Sequence, residues 1–118
     1  MAILEQNYSM LARLINAADQ RQKVISQNIA NVNTPNYQRL ELNFEEALAA
    51  ELTQKRAGTT QATPSVRETP GLPARADGNN VDIDMEIGQL NKNALLQQVY
   101  LQLLGTELSQ MHRAIETR

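Results

Sequence analysis

The fold is decided by residues 4–32, which read L-E-Q-N-Y-S-M-L-A-R-L-I-N-A-A-D-Q-R-Q-K-V-I-S-Q-N-I-A-N-V. Apolar or small residues recur along this stretch at alternating spacings of four and three, which is typical of a helix that packs along one face. The members are Leu4, Tyr8, Leu11, Ile15, Ala18, Ile25, Ile29 and Val32, with Gln22 as the one polar member. The pattern predicts a long amphipathic helix. Pro35 and the residue before it disfavour helix, so we expect it to end near residues 31–33.

The same spacing returns near the end of the chain and predicts a second long helix. Its members are Ile87, Leu90, Ala94, Leu101, Leu104, Leu108, Met111 and Ile115, again with one polar member, Gln97. If the two helices lie antiparallel with Leu4 beside Ile115, Gln22 faces Gln97, and two facing amides can satisfy each other. Alternatively, both amides lie at the edge of the contact and reach solvent. The expected intrachain seam contains Leu4, Leu11, Ile15, Gln22, Ile25, Gln97, Leu101, Leu104, Leu108 and Ile115.

The middle of the chain predicts one short helix and a linker. Asn43 can cap the short helix, and Glu46 three residues later completes a capping box. Residues 57–80 hold three of the five Gly and three of the four Pro, with few large apolar side chains, so we expect them to be flexible. The predicted order is a helix over 1–33, an Asn- and Pro-rich turn over 34–42, a short helix over 43–56, a flexible linker over 57–80 and a helix over 81–118. The predicted fold is a single all-α domain built on an antiparallel hairpin or coiled coil.

Composition excludes several classes of function. The chain has 118 residues, a net charge of −2 and no Cys. The charge gives no general attraction to nucleic acid or anionic membrane, and the missing Cys removes disulfides and thiolate metal sites. Apolar runs reach only four residues, and Glu5 interrupts any signal-peptide core. We therefore expect no membrane insertion and, if the protein leaves the cytoplasm, no use of the general secretory route.

Catalytic side chains are scarce. His112 is the only His, and with no Cys and four scattered Ser the chain offers no pairing of a nucleophile with a base. The acidic stretch 77–86 invites a calcium site, but its Gly stands in the second place instead of the sixth that an EF-hand requires. Asp82 and its acidic neighbours fit better as the cap and first turn of the last helix. We expect no enzyme activity, metal or cofactor.

A second apolar stripe lies beside the predicted seam. On the first helix it includes Met10, Leu14 and Val24, and on the second Leu96, Val99, Tyr100 and Leu103. The short helix could cover this stripe, but it is less than half as long. We therefore expect neighbouring subunits to complete the burial.

The segment S-Q-N-I-A-N-V-N-T-P-N-Y-Q, residues 26–38, packs four Asn into nine residues. Asn and Thr side chains bond nearby backbone groups and Pro fixes a turn, so the segment can act as a C-terminal cap. A cap usually needs one Asn or Gly. The excess amides suggest contacts with the backbone of a neighbouring subunit, and the candidates are Asn28, Asn31, Asn33, Thr34, Pro35 and Tyr37.

The stretch N-I-A-N-V-N-T-P-N-Y within this segment resembles the N-terminal signature of the bacterial flagellar rod and hook proteins, usually N-I-A-N-x-N-T-P-G-Y. Asn36 replaces the usual Gly, which a left-handed backbone conformation tolerates. The later stretches L-N-F-E-E-A-L and G-N-N-V-D-I-D-M-E-I-G-Q-L-N-K-N-A-L resemble one branch of that family, a basal-body rod protein.

The resemblance implies a structural subunit of the proximal rod that assembles through its terminal helices into a helical tube and transmits torque. The implied partners are further copies, other rod proteins, the adaptor between rod and membrane ring and, in transit, the flagellar type III export apparatus. Residues 2–4 would contribute to export recognition or simply form the first turn of the seam. The alternatives are a sibling rod protein of the family, or a soluble helical adaptor or export chaperone that binds a partner helix in a groove.

Overall fold

The computed structural model describes the backbone of residues 2–54 and 62–116 and the side chains of residues 5–53 and 62–116. The elements are α1 (Ala2–Ala30), β1 (Leu40–Asn43), α2 (Glu45–Gln54), β2 (Ser65–Glu68) and α3 (Ile83–Glu116). Helices α1 and α3 pack together in a flat molecule of 66 × 30 × 14 Å. The predicted all-α fold with two long helices and a short middle helix is confirmed, and a small two-stranded sheet is added to it. The side chain of Leu4 lies outside the described residues.

A small apolar core joins α1 to the middle of the chain. Its buried members are Ala17, Leu42, Phe44 and Leu48, and Leu14 packs against them. Phe44 is only 1% exposed because it fills the space between α1 and α2. The short helix therefore covers part of the stripe that we expected neighbouring subunits to cover.

An ion pair fastens α2 beside this core. Arg13 donates two hydrogen bonds to the Glu51 carboxylate, at 2.9 and 3.0 Å, and one to the carbonyl of Ala62 at 2.8 Å. The Arg13 guanidinium also lies 6.0 Å from the centre of the Phe44 ring. One side chain of α1 thus connects α2 with the segment that leads into β2.

The sheet lies in regions assigned from the sequence to a turn and a linker. Strands β1 and β2 pair antiparallel, with Leu40 opposite Glu68 and Asn43 opposite Ser65. Asn79, Asn80 and Val81, at the end of the predicted linker, are buried. Four-residue strands are too short for a reliable alternating pattern. The linker region therefore contains ordered structure that the sequence analysis did not expect.

The face that α3 buries differs from the one predicted. Its buried residues are Glu86 and Asn93, whereas Leu101, Leu108 and Ile115 are 55%, 48% and 58% exposed. The row Leu90, Gln97, Leu104 and Met111 is half-buried. The reason is electrostatic: two polar side chains that find partners on the rest of the chain occupy the inner face, and this turns the neighbouring leucine row outward.

The register also differs from the prediction. Asn93 Nδ2 donates to the carbonyl of Ala18 at 2.8 Å and to Gln22 Oε1 at 3.2 Å. Gln22 therefore faces Asn93, about one helical turn before Gln97. The predicted pairing of Gln22 with Gln97 is therefore wrong, and the side chain that bonds Gln22 across the two helices is Asn93.

Candidate functional site

The Asn-rich segment forms a compact exit from α1. The Asn31 amide Nδ2 donates to the carbonyl of Gln27 at 2.8 Å, and Thr34 Oγ1 donates to Asn31 Oδ1 at 3.1 Å. The backbone N–H of Tyr37 closes the turn on the carbonyl of Thr34 at 3.2 Å. Asn36 adopts a left-handed φ of 63°, which Asn tolerates better than most residues. The turn brings residues 37–40 back alongside the last turns of α1.

Asn28 joins α1 to β1 with every hydrogen-bonding position of its amide occupied. Its Nδ2 donates to the carbonyl of Leu40 at 2.8 Å and to Glu86 Oε2 at 3.3 Å. Its Oδ1 accepts from the Leu40 N–H at 3.0 Å and from the Tyr37 hydroxyl at 2.9 Å. The side chain is fully buried. It therefore pairs with β1 much as a neighbouring strand would.

Glu86 and Arg39 form a buried ion pair next to Asn28. Glu86 is 0% exposed and Arg39 8%. Arg39 Nε donates to Glu86 Oε1, and its Nη1 donates to Thr69 Oγ1 at 2.8 Å. Burying two charges is tolerated only when their remaining polar atoms are satisfied, and here Asn28 and Thr69 supply those bonds. The pair links the segment before β1 to the first turns of α3.

The side chain of Asn79 bonds the turn that follows α1, although Asn79 lies far from that turn in the sequence. Its Nδ2 lies within hydrogen-bond distance of the carbonyls of Asn31, Val32 and Thr34, at 2.9, 3.1 and 2.8 Å. Its Oδ1 accepts from the N–H of Val81 at 2.7 Å. These carbonyls belong to the turn that follows α1, where no helical hydrogen-bond ladder continues. One buried amide thus satisfies carbonyls 45 to 48 residues away in the chain.

Asn80 completes this arrangement. Its Oδ1 accepts from the Arg39 N–H at 2.6 Å, and its Nδ2 donates to Gln38 Oε1 at 3.1 Å. We call the set Asn28, Tyr37, Arg39, Asn79, Asn80 and Glu86 the polar junction. Burial of Tyr37 and the nearby charge of Glu86 raise the pKa of Tyr37, which keeps the phenol protonated as the donor to Asn28.

One close backbone approach lies beside the polar junction, at Gly78 and Asn36. Gly78 has a φ of +84°, and a Cβ at this position would lie 2.2 Å from Asn36 Oδ1. The N–H of Asn36 donates to the carbonyl of Asp77 at 2.9 Å. The Asn that replaces the usual Gly of the signature is thus accommodated by a Gly in the other segment.

The signature positions have different surroundings from those expected of a subunit contact. Asn28, expected to bond a neighbouring subunit, is buried inside its own chain, because its amide satisfies β1 and Glu86. Asn31 and Tyr37 are half-buried and bond within the chain. The expected contact residues Asn33, Thr34 and Pro35 are exposed, as is Asn36. The backbone that the excess amides bond is therefore largely the chain's own.

Sequence reasoning missed Arg39, Asn79 and Glu86 as partners of the turn. The signal was the second Asn-rich and acidic stretch, residues 77–86, which we read only as a helix cap. Asp82 does cap α3, since its Oδ1 accepts from the N–H of Asp84 at 3.0 Å. Within the described residues, no group of three His, Cys, Asp or Glu is placed to hold a metal ion.

The second apolar stripe divides between the interior and the surface. Val24 is buried and Leu14 packs against the core, whereas Met10 is half-buried. Leu96 and Tyr100 line a cavity of about 500 Å³ between α3, α1 and β1. Val99 and Leu103 are 47% and 48% exposed. Val99 and Leu103 on α3 are therefore the exposed members of the stripe, while Met10, Leu96 and Tyr100 are half-buried.

His112 stays at the surface, as expected. Its Nε2 lies 3.0 Å from Glu116 Oε1 one turn later, and both side chains are well exposed. No helix in the described part of the chain is long and apolar enough to cross a membrane.

Comparison with known proteins agrees with these features. Residues 15–38, which contain the end of α1 and the turn, match the family model described as flagella basal body rod protein. The flagellar basal body rod protein FlgB of Borrelia hermsii is 32% identical over 119 residues, covering 85% of this chain and 88% of the relative. The FlgB of Salmonella typhimurium is 29% identical over 86% of this chain and 87% of its own length. The FlgB of Bacillus subtilis is 26% identical over 94% of each chain.

The helical hairpin, the signature turn and these relatives define a structural subunit of the flagellar basal-body rod. Within this class, the chain belongs to the FlgB family of flagellar basal body rod proteins, because a relative at 32% identity matches it across most of both chains. This is a family of structural proteins and not of enzymes. Its location is the flagellar basal body, and its partners include other rod proteins.

Proposed function

We propose that this rod subunit belongs to the proximal rod, packs through α1 and α3 into a helical tube, and carries torque through side-by-side helix contacts. The single observation that supports this most is the exposed apolar surface of α3. Of the 11 large hydrophobic side chains that are exposed in the described residues, eight lie on this one helix. Soluble monomers rarely leave so much apolar surface on one element, whereas a polymer subunit buries it against neighbours.

The proposed contact with neighbours has two parts. The first is the open part of the stripe on α3, at Leu96, Val99, Tyr100 and Leu103. The second is the exposed rim of the signature turn, at Asn33, Thr34 and Pro35. Val24 and Leu14 on α1 are already used within the chain, whereas Val99, Leu103 and the rim of the turn are exposed. A rigid polar junction would hold these surfaces in a fixed orientation as the rod turns.

Further partners follow from the resemblance to rod and hook proteins. We propose that the subunit contacts the adaptor between rod and membrane ring and passes through the flagellar type III export apparatus to assemble outside the inner membrane. A narrow export channel favours a chain with a small interior. The nine buried hydrophobic residues among the described side chains are consistent with such a chain.

The experiment places a charge on the exposed stripe of α3. In a flagellated strain that lacks its own copy, we expect Leu103→Glu to abolish swimming and the recovery of rods in purified basal bodies. Leu103 is 48% exposed, so the helical circular dichroism of the free variant should match that of the parent. The loss therefore reports assembly and not folding.

Gln102→Glu is the matched control, since it adds the same charge to the next exposed residue of α3. Swimming should persist in this variant. Normal rods built from the Leu103→Glu chain would contradict the proposed contact surface.

A further inference from the structure

Two segments that lie far apart in the sequence supply each other's hydrogen bonds. The first segment, residues 28–40, contains the end of α1, the signature turn and the start of β1. The second segment, residues 75–86, leads into the first turn of α3. Residues 31–39 and 75–82 form neither helix nor strand. Their backbone groups therefore need partners other than a helical or sheet ladder.

The second segment supplies partners to the backbone of the first. The Asn79 amide lies within hydrogen-bond distance of three carbonyls of the turn, at 2.8 to 3.1 Å. The carbonyl of Asp77 accepts from the N–H of Asn36 at 2.9 Å. Asn80 Oδ1 accepts from the N–H of Arg39 at 2.6 Å. Without the second segment, a turn of this shape would leave these backbone groups without their protein partners.

The second segment depends on the first in return. Gln38 Nε2 donates to the carbonyl of Gly78 at 2.9 Å, and the N–H of Asn80 donates to the carbonyl of Tyr37 at 3.4 Å. The buried carboxylate of Glu86 accepts its side-chain hydrogen bonds from two residues of the first segment. The dependence of the two segments on each other is therefore mutual.

Apolar packing stabilises neither segment by itself. In residues 75–86 the single buried hydrophobic residue is Val81, at 2% exposed. Residues 28–40 contain no buried hydrophobic residue, and the side chains that they bury are those of Asn28 and Arg39. A helix end gains most of its stability from tertiary contacts, and a buried polar network is costly while any partner is missing. Each segment is thus stabilised mainly by polar groups of the other.

We infer that the signature turn does not become ordered on its own and that the two segments fold as one unit. Because a chain is synthesised from its N-terminus, the turn then stays unordered until the second segment has been made. The bonds from Asn79 to the turn span 45 to 48 residues. The use of this delay rests on the proposed passage through the export apparatus, since a chain that orders late is suited to a narrow channel.

Hydrogen-exchange pulse labelling of the full-length chain during refolding from urea tests the order of these events. The N–H groups of Tyr37 and Leu40 bond within the first segment, to the Thr34 carbonyl and to Asn28 Oδ1. The N–H of Glu86 bonds within the second segment. We expect all three N–H groups to become protected in the same kinetic phase. Protection of Tyr37 and Leu40 in a phase that precedes Glu86, or the reverse order, would overturn the inference.

Asn79→Ala tests the coupling in the folded chain. The hydrogen bonds of Asn79 do not involve the N–H of Leu40 or of Glu86. If the segments open together, both groups should nevertheless exchange with solvent about ten-fold faster in this variant, because buried carbonyls lose their donor. Asn33→Ala, at an exposed position of the same turn, is the matched control and should leave both rates unchanged. Faster exchange confined to the residues that Asn79 bonds would contradict the coupling.

Tyr37→Phe provides a milder change in case the Asn79→Ala chain does not fold. It removes only the hydroxyl that donates to Asn28 Oδ1. The readout is the N–H of Val81 in the second segment, which bonds to Asn79 Oδ1 and not to Tyr37. Its exchange should become a few-fold faster. An unchanged rate at Val81 would show that the first segment can loosen without the second.

This test is separable from the proposed function, because exchange is measured on the purified chain without export or assembly. Separate phases for the two segments would overturn their coupling and leave the rod function standing. Normal rods from Leu103→Glu, by contrast, would contradict the proposed contact surface and leave the coupling intact, since Leu103 lies outside both segments.

Discussion

The two ends of the helical hairpin are held together by different means. At the end that contains the polar junction, Asn28, Glu86 and Asn93 are at most 1% exposed and are bonded across the chain. At the other end, Tyr8 is 43% and Ile115 58% exposed. There Asn7 Nδ2 meets Glu107 Oε1 only at 3.5 Å. Polar side chains are therefore buried at one end while apolar side chains face solvent at the other.

This reversal of the usual arrangement has a physical reason. A buried polar network is costly when it is incomplete, so it specifies one register and one rotation of the two helices. Apolar contact is less specific, because a leucine row fits many partners. The junction therefore sets the geometry within the subunit and leaves the leucine rows of α3 free to pack elsewhere.

The largest expected effect comes from removing the charge at the junction. Glu86→Ala leaves the buried Arg39 with only the Glu41 carboxylate, whose Oε1 lies 3.9 Å from Arg39 Nη1, and it removes an acceptor from Asn28. Breaking such a buried pair costs about 3–5 kcal/mol. Asp84→Ala, at an exposed position in the same first turn, should cost less than about 1 kcal/mol. Urea unfolding followed by helical circular dichroism measures both. Equal losses in the two variants would mean that the junction does not hold the hairpin.

A smaller effect is expected at the contact between Gly78 and Asn36, beside the polar junction. Gly78→Ala places a side chain at a positive φ and against Asn36, with an expected cost of about 2 kcal/mol or more. Gly71→Ala is the matched control, because Gly71 has a φ of +78° with nothing within 4 Å of its Cβ position. The difference between the two variants isolates the contact with Asn36.

Adding Asn36→Gly sharpens the same comparison. The double variant Asn36→Gly with Gly78→Ala should recover the steric part of the loss and keep the part due to the positive φ, as a double-mutant cycle can measure. No recovery would show that Asn36 and Gly78 do not interact through this contact.

The long helices could be predicted from the sequence because their periodic patterns extend over eight turns or more. The rotation of α3 could not. Glu86 and Asn93 look like solvent-facing residues beside the leucine row. Partners far away in the sequence turn them inward, namely Asn28 and Arg39 for Glu86 and Ala18 and Gln22 for Asn93. A helical pattern shows that a helix has an apolar face. It does not show which of two neighbouring rows is buried, because burial depends on the partners that each row meets in the fold.

The candidate site could be predicted only in part, again because the partners of its polar side chains lie far away in the sequence. The Asn-rich turn was recognisable because four amides exceed what a cap requires, and their role in bonding backbone is seen in Asn28, which pairs with Leu40. Their partner backbone was expected on another subunit because the amides exceed what a cap requires, whereas Asn28 bonds the backbone of Leu40 in its own chain. The linker that holds Asn79 was separately expected to be flexible because its apolar content is low. Low apolar content predicts flexibility only when the polar side chains lack fixed partners. Asn79 and Asn80 have them.

The smallest expected effect concerns Arg13 and Glu51. This ion pair holds α2 to α1 nearer the end of the hairpin that lacks the polar junction. Hydrogen bonds from Arg13 and from the backbone N–H of Ala62 lower the pKa of Glu51 to about 2. Because the carboxylate has a lower pKa in the folded chain than the ordinary value of about 4.5, the pair stabilises the fold above that pH. This contribution is lost as the pH falls from about 4.5 towards 2.

Glu51→Gln should therefore make stability less dependent on pH over this range without abolishing the dependence. Hydrogen bonds from Thr69 and Arg67 also lower the pKa of Glu41, and one from Arg21 lowers the pKa of Glu45. Thermal unfolding at a series of acidic pH values measures this slope, and Glu46→Gln on the exposed side of α2 should leave it unchanged. Both partners are about one-fifth exposed, so solvent screens the pair and its effect stays below that of the buried junction. An acid slope as steep in Glu51→Gln as in the parent would show that this half of α1 is held by the apolar core alone.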